Sequence, residues 1–399
     1  MRRTMGLAWV GFLACEAGSG GLDPRPASED CAPSRAPVAL GRLSGRPGPA
    51  RVALTKAGLY FGPGEASQEL RLWPADGGDP RTVFTGTSPL RILDGRGGRV
   101  VVHPIDSADL IVVPVDGEPF PFRSDNGSPS TLPLEDGPPP QMLDGDSLAY
   151  VFGDGALELA DVGVPDPPPP GRATLLPARL AAAPVLRGGH LVYQGYNFDE
   201  PQLTLYRIDG WANTTLPGPR QTFPVLTDDE VLYLAGDQVR AAKLNTPNDN
   251  RVVIESGCSS LSSDGRRVIL SCGAEPNAPV PYLTRNQTLY LYDQGQLTPL
   301  SVAGPATLPV LSGEWLAYYA YEPTTFSLPG EGRGRLILQR LDRAEVYELG
   351  PITHGCFACA AYHPLPRIHF DGELLAYDYD LSEDTLAWRL FRLPAECPN

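Results

Sequence analysis

One short phrase recurs along this chain and limits what it can fold into: a turn carrying Asp or Gly, a brief apolar strand, a variable loop, then a second strand rich in Leu, Tyr and Val. The clearest copies place Asp144-Gly145-Asp146 before LAYVF, Gly188-Gly189 before HLVYQ and Asp228-Asp229 before VLYLA. Others place Asp94-Gly95 before RVVVH, Asp264-Gly265 before RRVIL, Gly313 before EWLAYYA and Asp371-Gly372 before ELLAYDY, with Ala57-Gly58 before LYF as a weaker copy. From Gly95 to Gly372 the spacing averages about 46 residues, the length of one four-stranded sheet in a radial array of blades.

Helical repeats of similar length do not fit, because LTLYRID, TLYLYD and RLILQRL are short β-branched and aromatic runs between breakers. The 43 Gly and 44 Pro are dispersed, as many short elements joined by turns require. Asp-Gly suits tight hairpins, since Gly reaches positive φ without steric cost. A β-sandwich pair would not keep one phrase through eight copies, and a solenoid repeat would be about half as long. The expected fold is all-β: a single β-propeller of about seven or eight four-stranded blades, occupying residues 36–399.

The run Leu261-Ser262-Ser263-Asp264-Gly265-Arg266-Arg267-Val268, followed by LYLYD, resembles the WD40-like (PD40) repeat of TolB-type propellers. The periodicity of that likeness covers most of residues 50–395. It implies a fold and not the activities of those proteins.

A propeller must close its ring or leave exposed sheet edges. The last unit, from His369 to Leu393, has too few strands for a full blade, so the segment near residues 37–43 is expected to complete it. Cys31 and Cys397 flank the two pieces and are expected to bond. Cys258 and Cys272 lie almost symmetrically about the Asp264-Gly265 turn and should face each other across that hairpin. The run from His354 to His363 offers Cys356 and Cys359 with two histidines. A disulfide between these cysteines is preferred to zinc in an oxidising compartment.

Export is read from the N-terminus. Two arginines precede a short apolar stretch that ends at Cys15, and a Gly-, Ser- and Pro-containing segment follows. Residues 1–14 read as a signal peptide and 15–35 as a flexible tether, with Phe12-Leu13-Ala14-Cys15 resembling a bacterial lipoprotein box that would lipidate Cys15. An ordinary signal peptide is the alternative. The expected location is the bacterial envelope, as an outer-membrane lipoprotein, periplasmic or at the cell surface, with contact to a membrane only through that anchor.

With 32 basic and 47 acidic residues the net charge is −15, and the basic residues are scattered arginines apart from Lys56 and Lys243. That pattern argues against a nucleic-acid surface. The chain has no G-x-S-x-G, H-E-x-x-H, G-x-x-x-x-G-K or G-x-G-x-x-G, so no catalytic, cofactor or metal residue is assigned.

Turns between the first and second strand of each unit are tight, whereas connections on the opposite face are long: residues 62–69, 195–202, 273–287, 321–334 and 378–385 within units, and 117–140, 163–184 and 351–366 between them. That face would carry Tyr196, Phe198, Asp199, Glu200, Tyr282, Arg285, Tyr321, Phe326, Tyr379 and Asp380, aromatic residues with flanking charge that suit a protein or polysaccharide partner. A monomeric, non-enzymatic binding or scaffold protein is therefore expected. The alternative is a propeller glycoside hydrolase or lyase using acids near the central channel, for which Asp378 and Asp380 are the candidates.

Overall fold

The computed structural model describes residues 36–394 except 46–51, 124–140, 153–155, 164–172, 178–183, 198–199, 274–286, 322–331, 355–366, 383–384 and positions 65, 97, 211, 256, 303, 305 and 344. Its regular elements are all strands. They form eight antiparallel four-stranded units, numbered here as blades: blade 1 over residues 52–85, blade 2 over 90–123, blade 3 over 143–177, blade 4 over 185–215, blade 5 over 221–254, blade 6 over 258–299 and blade 7 over 306–354. Blade 8 combines Ile368–Asp371, Leu374–Ser382 and Thr385–Arg392 with Val38–Gly45 from the other end of the chain. Strands a to d run from the axis outwards, and each strand a neighbours the strand a of the next blade all the way round, including blade 8 beside blade 1. The expected propeller is therefore present, with eight blades.

The alternation of side chains explains why the b strands read as continuous apolar runs. In Glu230–Ala235 every residue is buried, because odd and even positions face different neighbours. Val231 and Tyr233 pack into a cluster with blade 4, while Leu232 and Leu234 pack into one with blade 6. Eight such clusters fill the eight seams between blades, so each sheet is covered on both faces, as buried strands of this composition require. The outermost strands are more exposed, as in Arg81–Thr85 and Ala212–Thr215.

Polar ties run across the seams as well. Asp144 Oδ2 accepts the Gly188 N–H at 2.6 Å, Arg99 donates to Val162 O at 2.9 Å, and Arg267 reaches both Gly313 O and Glu314. Asp94 departs from the turn role expected of an Asp-Gly pair. Asp94 and Gly95 lie inside strand Leu90–Arg96, and the reversal comes two residues later at 97–98. The Asp94 carboxylate instead accepts the Met142 and Leu143 N–H groups at 2.8 and 2.9 Å, joining blade 2 to blade 3. Gly95 is needed for close approach, since a Cβ there would meet the Ala53 Cβ at 2.5 Å.

Ring closure follows the expectation that an N-terminal strand completes the last blade. Val38–Gly45 runs antiparallel to Thr385–Arg392, from Val38 opposite Arg392 to Gly45 opposite Leu386, with an irregularity between Ala39 and Gly41. Leu40 and Leu43 pack against the blade 8–blade 1 core of Trp73, Trp388 and Leu390. The Cys258–Cys272 disulfide is also present, and its two residues are register partners across the hairpin. Cys15, Cys31, Cys356, Cys359 and Cys397 lie outside the described residues.

Gly41 is the tightest point of the closing strand: a Cβ there would meet the Trp73 ring at 2.5 Å, and its φ is +155°. Replacing Gly41 with Val should lower stability by about 1–3 kcal/mol through overpacking of the closing seam, measured by denaturant unfolding. An unchanged midpoint would show that the closing strand is not seated on Trp73.

Candidate functional site

Every a–b turn is short, from the Thr55-to-Gly58 reversal to the Asp371-to-Leu374 reversal. The opposite rim, formed by b–c and d–a connections, holds the long segments 124–142, 273–287, 322–331 and 355–367. Two b–c connections expected to be long are short instead. Strands His190–Asn197 and Glu200–Arg207 leave only 198–199 between them, and Leu374–Ser382 and Thr385–Arg392 leave only 383–384. Two of the long inter-blade stretches also contain outer strands, Phe120–Arg123 and Ala173–Pro177. Residues 162–172 therefore join strands c and d and belong to the tight-turn rim.

Of the residues proposed for a binding face, Tyr196 and Glu200 sit in the blade 4 hairpin, opposite Pro201 and Asn197, and Glu200 is exposed. Tyr321 ends strand b of blade 7 opposite Gly334, and Tyr379 and Asp380 lie near the end of strand b of blade 8, with Asp380 opposite Ala387. Phe198, Asp199, Tyr282, Arg285 and Phe326 lie outside the described residues. The backbone thus brings Tyr196, Glu200, Tyr321, Tyr379 and Asp380 to the same rim, on three different blades.

Asp378 is fully buried. Its Oδ1 accepts the Arg367 N–H at 2.6 Å, and Oδ2 lies 3.7 Å from Arg367 Nε. Burial pushes its carboxyl up to about 7, only partly offset by Arg367. Nearby His369 packs against Trp388 with the rings tilted at 60° and their centroids 5.5 Å apart, and burial, reinforced by the positive charge of Arg367 and Arg96, drives its imidazole down to about 3. It is therefore neutral at any physiological pH. The arrangement fastens the start of strand a to strand b in blade 8. No group of three or more potential metal ligands occurs among the described residues.

Two of the cavities among the described residues bear on function. The first, of about 300 Å³, is the axial channel, lined by residues of strand a or the adjoining a–b turn from seven blades and by Gln141, just before strand a of blade 3. Two of its charged groups pair with residues beside the channel: Arg187 with Asp228 at 3.3 Å, and Asp264 with Arg267 at 3.2 Å. Burial raises the Asp94 carboxyl, which Arg96 and three backbone N–H groups oppose in part.

The second cavity, of about 770 Å³, lies in the seam between blades 5 and 6, among their a–b and c–d turns. Its floor is a three-residue network. Arg251 grips Glu230 with two bonds, 2.7 and 3.0 Å, and the Tyr292 hydroxyl donates to Glu230 while accepting from Arg251. Burial alone would raise the Glu230 carboxyl, yet the hydrogen bonds from Arg251 and Tyr292 hold it below the usual range. Burial and the Glu230 carboxylate push the Tyr292 hydroxyl upwards. Sequence reasoning missed this cluster because Glu230, Arg251 and Tyr292 come from three strands of two blades and share no local motif.

No known protein family matches the chain, and no curated protein sequence matches it. Among solved structures it is similar to the Dos1 propeller, with a TM-score of 0.51, 10% identity, and coverage of 91% of this chain and 96% of that one. It is also similar to BamB from Moraxella catarrhalis, with a TM-score of 0.49, 12% identity, and coverage of 90% and 100%. The β-propeller domain of the Trilobed protease from Pyrococcus furiosus gives 0.48, 10%, 89% and 97%. At these identities the first of them speaks for the fold alone.

The buried carboxyl of Asp378 predicts a pH dependence. Its folded pKa of about 7 exceeds the unfolded value of about 3.9, so the folded chain holds a proton that the unfolded chain releases between those limits. Stability should therefore fall as pH rises from about 4 to 7, by at most about 4 kcal/mol from this group, and then level off. Asp378→Asn should remove that part of the decline in denaturant unfolding across the range. A mutant curve parallel to the native one would mean that Asp378 is ionised when folded.

Proposed function

We propose that this protein is an exported, non-enzymatic binding propeller of the bacterial envelope, which recognises a protein or polysaccharide through the rim of long b–c and d–a segments. The observation that carries this reading is the asymmetry between the rims. One rim has short a–b turns fastened blade to blade through Asp144, Arg99 and Arg267, while the other carries the long segments 124–142, 273–287, 322–331 and 355–367. Rigid scaffolds with elaborated loops on one side concentrate recognition in those loops. The TolB-like repeat and the lipoprotein-like start belong to the same reading, with Cys15 as the anchor and residues 15–35 as the tether that lets the ring reach its partner.

The rival, a glycan hydrolase or lyase, has one observation in its favour: Asp378 has a carboxyl pKa suited to a general acid near neutrality. Against it, Asp378 is wholly buried and one of its oxygens is committed to a backbone N–H. An acid that must meet a glycosidic oxygen needs access to it.

The test replaces 274–286 and 322–331 with short Gly-Ser links and measures capture of a panel of purified bacterial cell-wall polysaccharides and purified envelope proteins on an immobilised ring. The expected outcome is at least tenfold weaker capture, with an unfolding midpoint within a few degrees of the native one. Equal capture by the shortened ring would overturn the face assignment. Polysaccharide turnover abolished by Asp378→Asn or Asp380→Asn would establish the rival.

A further inference from the structure

The seam cavity between blades 5 and 6 lies away from the long-loop rim, and its chemistry has no part in the reading above. Three acids and three cations line it: Asp228, Asp229 and Glu230 with Lys243, Arg251 and Arg266. Three of these are engaged, Glu230 with Arg251, and Asp228 with Arg187, which stands outside the lining. Lys243 and Arg266, both exposed, form no ion pair among the described residues and stand on different blades across the seam. The chain has two lysines; Lys56 sits 3.7 Å from Asp116, and the other is placed here. The lining is formally neutral, three acids against three cations, but Arg187 from outside offsets Asp228, so in a chain of net charge −15 this cavity sets Lys243 and Arg266 against Asp229 alone.

Hydrogen-bonding groups complete the lining. Asn245 and Gln294 bring side-chain amides, with donors and an acceptor each, and ionised Asp229 brings acceptors alone. Gln294 stands at φ +47°, in a two-residue turn with Gly295 at +84°. Asn or Gly is the usual occupant of such a position, and a longer side chain kept there at a conformational cost fits a role for its amide. The hydrogen bonds of the pre-set Glu230–Arg251–Tyr292 floor involve neither Lys243 nor Arg266, although the Lys243 charge also favours the Glu230 carboxylate.

These groups match a ligand with a single negative charge and several hydroxyls. A carboxylate would lie between Lys243 and Arg266, and vicinal hydroxyls would donate to Asp229 and exchange hydrogen bonds with Asn245 and Gln294. An inorganic phosphate dianion would meet the repulsion of Asp229 and leave most of the 770 Å³ unfilled, whereas a sugar unit or two falls within the usual size of ligand pockets. A long polyanion would be opposed by the net charge of the chain as a whole. We propose that the cavity between blades 5 and 6 is a binding site for a hexuronate unit, held by Lys243 and Arg266 at its carboxylate and by Asp229, Asn245 and Gln294 at its hydroxyls.

Isothermal titration of the intact chain with glucuronate and galacturonate, alongside glucose, acetate and inorganic phosphate, tests the site; an oligogalacturonide separates recognition of a free sugar from that of a chain unit. At least one uronate or the oligogalacturonide should bind with a dissociation constant of about 1 mM or tighter, and glucose, acetate and phosphate at least tenfold more weakly. Lys243→Ala and Arg266→Ala, both at exposed positions, should each weaken uronate binding about tenfold without moving the unfolding midpoint. Gln294→Gly, which relieves the turn, should raise stability while weakening the sugar. Silence from both uronates and the oligogalacturonide, phosphate binding as tight as uronate, or full binding by both cation variants would each overturn the proposal. The ring with shortened 274–286 and 322–331 should bind uronate normally, so the capture panel is scored on proteins and uronate-free polysaccharides, and failure here and failure of the long-loop reading are then separate results.

Discussion

Antiparallel pairing between Val38–Gly45 and Thr385–Arg392 is the interaction on which the rest of this structure depends. Each blade buries both of its faces against neighbours, so no blade can be left at an end without exposing an apolar sheet on one side. The chain avoids that by making its last blade from both of its ends. The Leu40, Leu43, Trp73 and Trp388 packing in the closing seam then equals the other seams in kind. Cooperativity follows: opening this one pairing exposes the flanks of blades 8 and 1 together.

Polar groups add direction to that packing. A propeller held by apolar clusters alone would tolerate sliding of one sheet over the next, because hydrophobic contact is non-directional. The ties from Asp94 to Met142 and Leu143, from Asp144 to Gly188 and from Arg267 to Gly313 fix the register between adjacent blades. Most of these acids and arginines cluster near the a–b turns, where they serve the scaffold. The proposed recognition surfaces are the opposite rim and the seam between blades 5 and 6, which Lys243 and Arg266 line.

Much of this architecture was legible in the sequence, since burial on both faces produces runs such as VLYLA and RVIL and each run must be preceded by a reversal. The Cys258–Cys272 pairing was legible because symmetry about a tight turn fixes cross-strand partners. Outer strands were hidden, because an edge strand tolerates proline and Phe120–Arg123 and Ala173–Pro177 contain it; they read as connections. The role of Asp94 was hidden by its resemblance to a turn residue, although Gly97-Gly98 just after it was a signal that the reversal came later. The seam cavity has no linear signature, as its residues are spread from Thr227 to Gly295.

The central claim is that the ring is shut by its N-terminal strand, and amide hydrogen exchange of the native protein tests it most directly. The account predicts that amides in Val38–Gly45 bonded to the Thr385–Arg392 strand are as slow as their partners there, and that both groups open in the same event at increasing denaturant. Fast exchange throughout 38–45 while 385–392 and the other blades stay protected would contradict it.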